Sequence, residues 1–274
     1  MGDVLRAKKD ALHRLLSDLG SVIVAYSGGV DSSYLAAAAH EALGPASLAV
    51  TAVSPSLARR ELNAATALAG ERGWNHEIVR TRELTREHYV RNDAARCYWC
   101  KTELFEVLAP IAEARAAVVA VGTNTDDLSD YRPGGRAAAE HAVRAPLVEV
   151  ELSKADVRAL SADLGLPTYD KPASPCLSSR LAYGVRVTPE RLRRVEGAED
   201  LLLTLGFNVM RVRDHGELAR IEVPPEEVQR AAELREVITR ELTKLGWRYV
   251  TLDLVGFRSG SMNEVLPSPT IRPS

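Results

Sequence analysis

Three cysteines, a glycine pair set among serines and a few spaced arginines are the residues of this chain whose chemistry goes beyond packing. Cys97 and Cys100 occur in Cys97-Tyr98-Trp99-Cys100-Lys101. That separation lets two sulfurs reach one metal centre or close a redox disulfide. Cys176 stands in the stretch Tyr169 to Val185, where Pro172 and Pro175 keep the chain extended and present the thiol from a loop. Ser178, Ser179 and Arg180 follow at once and set donors and a fixed positive charge beside a sulfur suited to attack or to metal binding. An odd number of cysteines cannot close into intramolecular disulfides, so in a reducing compartment they read as ligands or nucleophiles. His88 or His215 would complete a four-ligand zinc site with them. Alternatively, three thiolates hold three irons of a cubane cluster and leave the fourth open to an exogenous ligand such as sulfide.

Ser21 to Ser33, SVIVAYSGGVDSS, carries the second chemistry. Val22 to Ala25 is a short β-branched run of the kind buried in a parallel sheet, and Tyr34 to Leu43 is an Ala- and Leu-rich helical run stopped by Gly44-Pro45. Between them Gly28 and Gly29 allow torsions that turn successive N–H groups toward one centre, at a helix N-terminus that favours an anion. Ser27, Ser32 and Ser33 add hydroxyls suited to phosphate oxygens, and Asp31 reads as an N-cap or a Mg²⁺ contact. No Gly-Lys-Ser/Thr follows, so the loop is not a Walker A motif.

Further polar loops fall where strands end. Ala52 to Ser56 suits a base or ribose, or is a simple Pro turn. Gly122 to Asp127 offers Asp126 or Asp127 to Mg²⁺, or as turn and cap residues. Asp130 to Arg136 brings two arginines suited to an anion. Arg211 and Arg213 occupy alternate positions of one predicted strand and so share a face. With Arg220 they could grip a phosphate, or form the solvated face of a sheet.

The elements that must position these residues alternate. Helix is predicted over 3–18, 57–72, 101–114 and 154–164, the last with Ser153 as N-cap, and strand over 47–52, 76–80 and 117–121. This is a βαβ pattern, an α/β doubly wound parallel sheet with ligands at the carboxyl ends of its strands. Past Gly184 the order becomes helix 188–205, paired strands 208–213 and 219–223, helix 225–245 and strand 249–255. The reading is therefore of a nucleotide-binding domain over 1–184 and a smaller α+β domain over 185–274, with a fraying tail from Leu266. A net charge of -2 gives no global sign of a nucleic-acid partner. The charged N-terminus and the lack of a long apolar run make cytoplasmic residence, without membrane attachment, the expectation.

The order Ser-Gly-Gly-Xaa-Asp-Ser resembles the PP-loop of the ATP pyrophosphatases, whose fold is adenine nucleotide alpha hydrolase-like. Taken together, SGGVDSS, RCYWCK, ASPCLSSR and the ending VTLDLVGFRSGSMNE resemble the LarE family, from about residue 5 to 265. The resemblance implies an ATP- and Mg²⁺-dependent sulfurtransferase. It would adenylylate a carboxylate of pyridinium-3,5-biscarboxylic acid mononucleotide and convert it to a thiocarboxylate, for the nickel-pincer nucleotide cofactor of lactate racemase. Ser27 to Ser33 would bind pyrophosphate. Trp99 would lie near the substrate with Arg180, and Arg211 and Arg213 would take the mononucleotide phosphate. Glu196 or Glu199 would be an acid near Cys176. In one branch the cysteine at the position of Cys176 gives up its own sulfur; Cys97 and Cys100 make this chain resemble the branch with a three-cysteine 4Fe-4S cluster. Homo-oligomers built through the smaller domain are implied as well. A tRNA thiolase, or a non-catalytic nucleotide-binding or zinc-stabilised scaffold, are the alternative readings.

Overall fold

The structure, a computed structural model, describes residues 2–129, 133–258 and 260–262. In chain order the elements are α1 Asp3–Leu19, β1 Val22–Ala25, α2 Val30–Leu43, β2 Ser47–Val53, α3 Arg59–Glu71, β3 His76–Arg80, α4 Glu87–Val90, α5 Arg96–Ala114 and β4 Val118–Ala120. They continue with α6 Pro133–Glu140, α7 Pro146–Glu149, α8 Lys154–Asp163, α9 Pro189–Thr204, β5 Arg211–Asp214, β6 Leu218–Glu222, α10 Val228–Glu233, α11 Arg235–Lys244 and β7 Tyr249–Leu252.

Two compact units form, one from residues 1–83 and 97–174, the other from 84–96 and 175–274. The first holds the parallel sheet in the order β3-β2-β1-β4, with Val22 beside Ser47 on one side and Val118 on the other. The central strands β1 and β2 are buried along most of their length, as their Val, Ile and Ala runs require, while the edge strand β3 is largely exposed. Helix α2 packs against the sheet and also against α1 and α8, so Ala36 to Ala39 are all buried. Small side chains there let three layers approach closely.

The second unit carries the antiparallel pair β5 and β6, with β7 added parallel to β6, and α9 packed on β5. The turn between β5 and β6 spans His215 to Glu217. The helix predicted over 225–245 is broken: Leu234 sits at φ -86°, ψ 10° between α10 and α11.

The division departs from a boundary after residue 184. It falls at 174/175, and 84–96 joins the second unit. The reason is long-range bonding. The buried Asn92 amide donates to the carbonyls of Leu181, Ala182 and Val185 at 3.3, 2.8 and 2.8 Å, and Val187 N–H donates to Val90 O at 2.9 Å. A composition break at Gly184 carries no sign of those bonds. Asp130 to Arg132 and the tail from Leu266 lie outside the described residues, as do Ser259, Asn263 and Glu264 of the closing motif.

Candidate active site

At the carboxyl end of β1 the chain passes through Ser27, Gly28 and Gly29 into α2. Gly28 has φ +72°, and a Cβ on it would stand 2.8 Å from Ala65 Cβ, so both torsion and space demand glycine. Gly29 is the N-cap and offers no side chain to the first-turn N–H groups, which leaves them to an anion. Ser32 Oγ fastens the turn: it accepts from Ser27 N–H at 3.2 Å, donates to Gly29 O at 3.2 Å and lies 3.0 Å from Ser27 Oγ. Ser33 is fully buried, and its N–H donates to Gly29 O at 2.9 Å.

Asp31 is the second residue of α2 and not its N-cap. One carboxylate oxygen accepts from Asn124 Nδ2 at 3.1 Å and the other from Lys154 Nζ at 2.5 Å. Lys154 opens α8, whose Ser153 N-cap forms the expected cap in full, with reciprocal bonds between Ser153 and Asp156. Asp126 Oδ2 accepts from Lys154 N–H at 3.2 Å, and Asp127 Oδ2 accepts from Asn124 N–H at 3.2 Å, which are turn and cap roles. Oxygen donors of this type also suit Mg²⁺. A hypothetical Cβ on Gly122 would be 2.8 Å from Ser32 N, so the loops after β1 and β4 abut and bring these groups to one place.

Lys171 makes a second latch. Its Nζ donates to Gly28 O at 2.9 Å and to Glu61 Oε2 at 2.7 Å, while Glu61 Oε1 accepts from Ser174 Oγ at 2.9 Å. Lys154, Lys171 and Glu61 escape a motif-based reading because each is an ordinary surface residue type lying far along the chain from the loop it serves. After β2, Ser54 Oγ donates to the buried carboxylate of Glu83 and accepts from Ser56 N–H at 3.1 Å. That is a tied turn at the place read as a base or ribose site.

Cys97 and Cys100 lie at the start of α5, neither in a disulfide, the first exposed and the second half-buried. A three-residue spacing puts them on one side of the helix. Tyr98 and Trp99 meet edge to face at 5.0 Å between ring centroids. The Tyr98 hydroxyl donates to Glu140 Oε2 at 2.6 Å, and the Arg136 guanidinium lies 4.0 Å from its ring centroid.

In the second unit Cys176 precedes a short 3-10 turn, Leu177–Arg180. Cys176 Sγ lies 3.0 Å from Ser178 Oγ, which accepts from the buried Tyr89 hydroxyl at 3.0 Å. Arg96 donates to Ser178 O at 2.8 Å and also to Asn92 Oδ1. Arg180, 1% exposed, donates to Pro175 O, to Cys176 O at 3.2 Å, to Ser179 Oγ at 3.1 Å and to both oxygens of Glu199. It is therefore a brace for the Cys176 loop. Glu199, fully buried, also accepts from Val212 N–H at 3.3 Å, and through Arg180 it is tied to the cysteine loop.

Arg213 is buried rather than on a solvated face. It donates to Glu222 Oε2 at 3.0 and 2.7 Å, to Ser261 Oγ at 3.1 Å and to Ser179 O at 3.3 Å. Arg220 donates to the other oxygen of Glu222 at 3.0 Å. Arg211 is half-buried, with its guanidinium 5.1 Å from the Phe257 ring centroid.

Within each unit, among the described residues, no three His, Cys, Asp or Glu side chains gather as a metal centre. His88 is next to Arg91, ring nitrogen to guanidinium 3.0 Å. Also among the described residues, no helix is long and apolar enough to cross a membrane.

No protein-family model matches the chain. Among curated proteins it is 39% identical to the pyridinium-3,5-bisthiocarboxylic acid mononucleotide synthase of Lactiplantibacillus plantarum, over 96% of both chains. It is 47% identical to an uncharacterized protein of Synechocystis, over 96% of this chain and 99% of that one. An uncharacterized protein of Methanocaldococcus jannaschii is 29% identical over 87% of this chain and 91% of its own.

Proposed function

The chain belongs to the LarE family, and from that premise we propose that it is an ATP-dependent sulfurtransferase acting on pyridinium-3,5-biscarboxylic acid mononucleotide. The observation that carries the reading is the match along nearly the whole chain to a synthase of the bisthiocarboxylic acid mononucleotide. The Gly28-Gly29 turn at the end of β1 supports it, since it is built for phosphate and lacks a Walker lysine.

A carboxylate is a poor acyl electrophile until its oxygen carries a good leaving group. In the proposed reaction a substrate carboxylate oxygen attacks the α-phosphorus of ATP, the bond to the bridging oxygen breaks, and pyrophosphate leaves from the loop Ser27 to Ser33. A sulfur nucleophile then attacks the acyl carbon, AMP departs with the former carboxylate oxygen, and a thiocarboxylate remains. Asp31 and Asp126 would hold the accompanying Mg²⁺. Trp99, Arg211 and Arg213 are assigned to the mononucleotide, its ring and its phosphate. Arg180 and Glu199 hold Cys176 in place.

Thiolates suit iron, and three of them leave one cubane iron without a protein ligand. We assign Cys97, Cys100 and Cys176 as the donors of a 4Fe-4S cluster, whose chemistry when bound is to carry sulfide for transfer. A homo-oligomer completes the proposal, and sedimentation velocity checks it.

The test is single turnover of oxygen-free protein with ATP, Mg²⁺ and the biscarboxylic acid mononucleotide, followed by pyrophosphate release and product mass. Each carboxylate oxygen replaced by sulfur adds about 16 Da to the product; ATP binding without pyrophosphate release sinks the enzyme reading and favours a scaffold. Iron and sulfide near four each per chain, lost in Cys176→Ala, is the expected metal result. Conversion of Cys176 to dehydroalanine without iron moves the sulfur source to the cysteine itself.

A further inference from the structure

Among the described residues Cys176 Sγ has one hydrogen-bond partner, the Ser178 hydroxyl at 3.0 Å. Arg180, the cation expected beside the thiol, does not reach the sulfur, because its donors lie on Pro175 O, Cys176 O, Ser179 Oγ and Glu199. The side chain that addresses the sulfur is a neutral serine.

We propose that Ser178 is a positioning residue of the sulfur chemistry, its hydroxyl proton aimed at Cys176 Sγ by the Tyr89 phenol. The inference rests on the reading of Cys176 as a working sulfur and goes beyond it by naming the relay that directs it.

A serine hydroxyl has one proton to give and two lone pairs to receive. Ser178 Oγ already receives from the Tyr89 hydroxyl at 3.0 Å, and among the described residues its own proton has no acceptor other than Cys176 Sγ. Ser178 and Tyr89 are both buried. A bond run the other way, from thiol to serine, would leave a buried O–H with nothing to donate to, which is costly. The chain of bonds therefore runs from tyrosine to serine to sulfur, away from competing water, and each bond polarises the next. The backbone beneath it is held as well. Arg96 donates to Ser178 O at 2.8 Å, Ser179 N–H donates to Cys176 O at 3.0 Å, and Val187 N–H fixes Val90, the residue after Tyr89, at 2.9 Å. The inclusion of 84–96 in the second unit thus has a chemical role, since that segment carries the phenol that orients Ser178. A donor on the sulfur draws charge from it and lowers its reactivity as a nucleophile. On a cluster ligand the same bond favours the reduced, more negative state.

The experiment is alkylation of iron-free protein by iodoacetamide, read at Cys176 by peptide mass spectrometry, at alkaline pH where the rate has levelled off and the thiol is fully ionised. Wild type is compared with Tyr89→Phe, Ser178→Ala and the double variant, in which only hydroxyl groups are lost. We expect Ser178→Ala to react about two- to tenfold faster, the range that one ordinary hydrogen bond sets. Tyr89→Phe should also react faster, by a smaller factor, although it does not touch the sulfur. In the Ser178→Ala background it should add nothing. An unchanged or slower rate in Ser178→Ala overturns the proposal, as does a Tyr89→Phe rate equal to wild type or a Tyr89→Phe effect that persists without the serine hydroxyl. In protein reconstituted with iron and sulfide, Ser178→Ala should move the cluster midpoint potential to more negative values, and equal potentials overturn the proposal. Wild type that binds no iron removes the cluster assignment, and Cys176→Ala protein that still forms thiocarboxylate removes the reading of Cys176 as the working sulfur. The alkylation rates decide the relay in either case, so the failures are distinguishable.

Discussion

Arg180 and Glu199 face each other in the interior of the second unit, Nε to Oε1 at 2.9 Å and both essentially without solvent exposure. The remaining guanidinium donors reach Pro175 O, Cys176 O and Ser179 Oγ, so one ion pair anchors the backbone on both sides of Cys176 to α9. Buried charges persist only when paired and fully bonded, and the arrangement supplies both conditions. The fixed position of the thiol thus depends on a carboxylate that the loop itself does not contain.

Glu199→Gln keeps the volume and strands the arginine charge. Breaking a buried pair from one side costs about 3–5 kcal/mol, so the urea midpoint should fall sharply. Cys176 should also label faster with iodoacetamide. The same change at Glu196 should do much less, and equal effects at both positions would contradict the assignment of Glu199.

Gly28→Ala forces a side chain onto a φ of +72° and against Ala65. The backbone alone should cost about 1 kcal/mol or more, and the steric clash adds to it. Pyrophosphate affinity, measured by calorimetry, should drop much further than stability, because the turn that aims the N–H groups is displaced.

Ser153→Ala removes the hydroxyl that accepts from Asp156 N–H at 3.1 Å. Loss of such a cap costs about 1 kcal/mol. Hydrogen exchange should quicken at the start of α8, with α9 unaffected.

Burial holds the His76 imidazole below its ordinary value, and its Nε2 pairs with Thr51 Oγ1 at 2.8 Å. The unfolded chain takes up this proton near about pH 6.5, before the folded one does. The contribution of neutral His76 is therefore complete above that pH and is lost as pH falls toward the depressed folded value. Denaturant midpoints measured from neutral pH downward should decline less steeply in His76→Gln than in wild type; identical slopes would rule the effect out.

Local chemistry alone fixed much of the architecture. The β-branched runs give β1 to β4 within a residue or so, Gly44-Pro45 marks where α2 stops, and Ser153 starts α8, because each signal acts within one turn or one strand. The anion loop was legible for the same reason: strand, two glycines and helix are contiguous. What only the tertiary structure decided lies far apart in the chain. Asp31 and Lys154 are 123 residues apart, and Glu61 and Lys171 are 110 apart. Asn92 sews 84–96 to the second unit although no feature of that segment's composition sets it off. Arg213 was placed on a strand face by alternation, but whether that face meets water or Glu222 depends on what packs over it. Side-chain type and spacing determine which chemistry is available; the partners that hold, neutralise or bury each group are set by chain crossings that leave no local mark in the sequence.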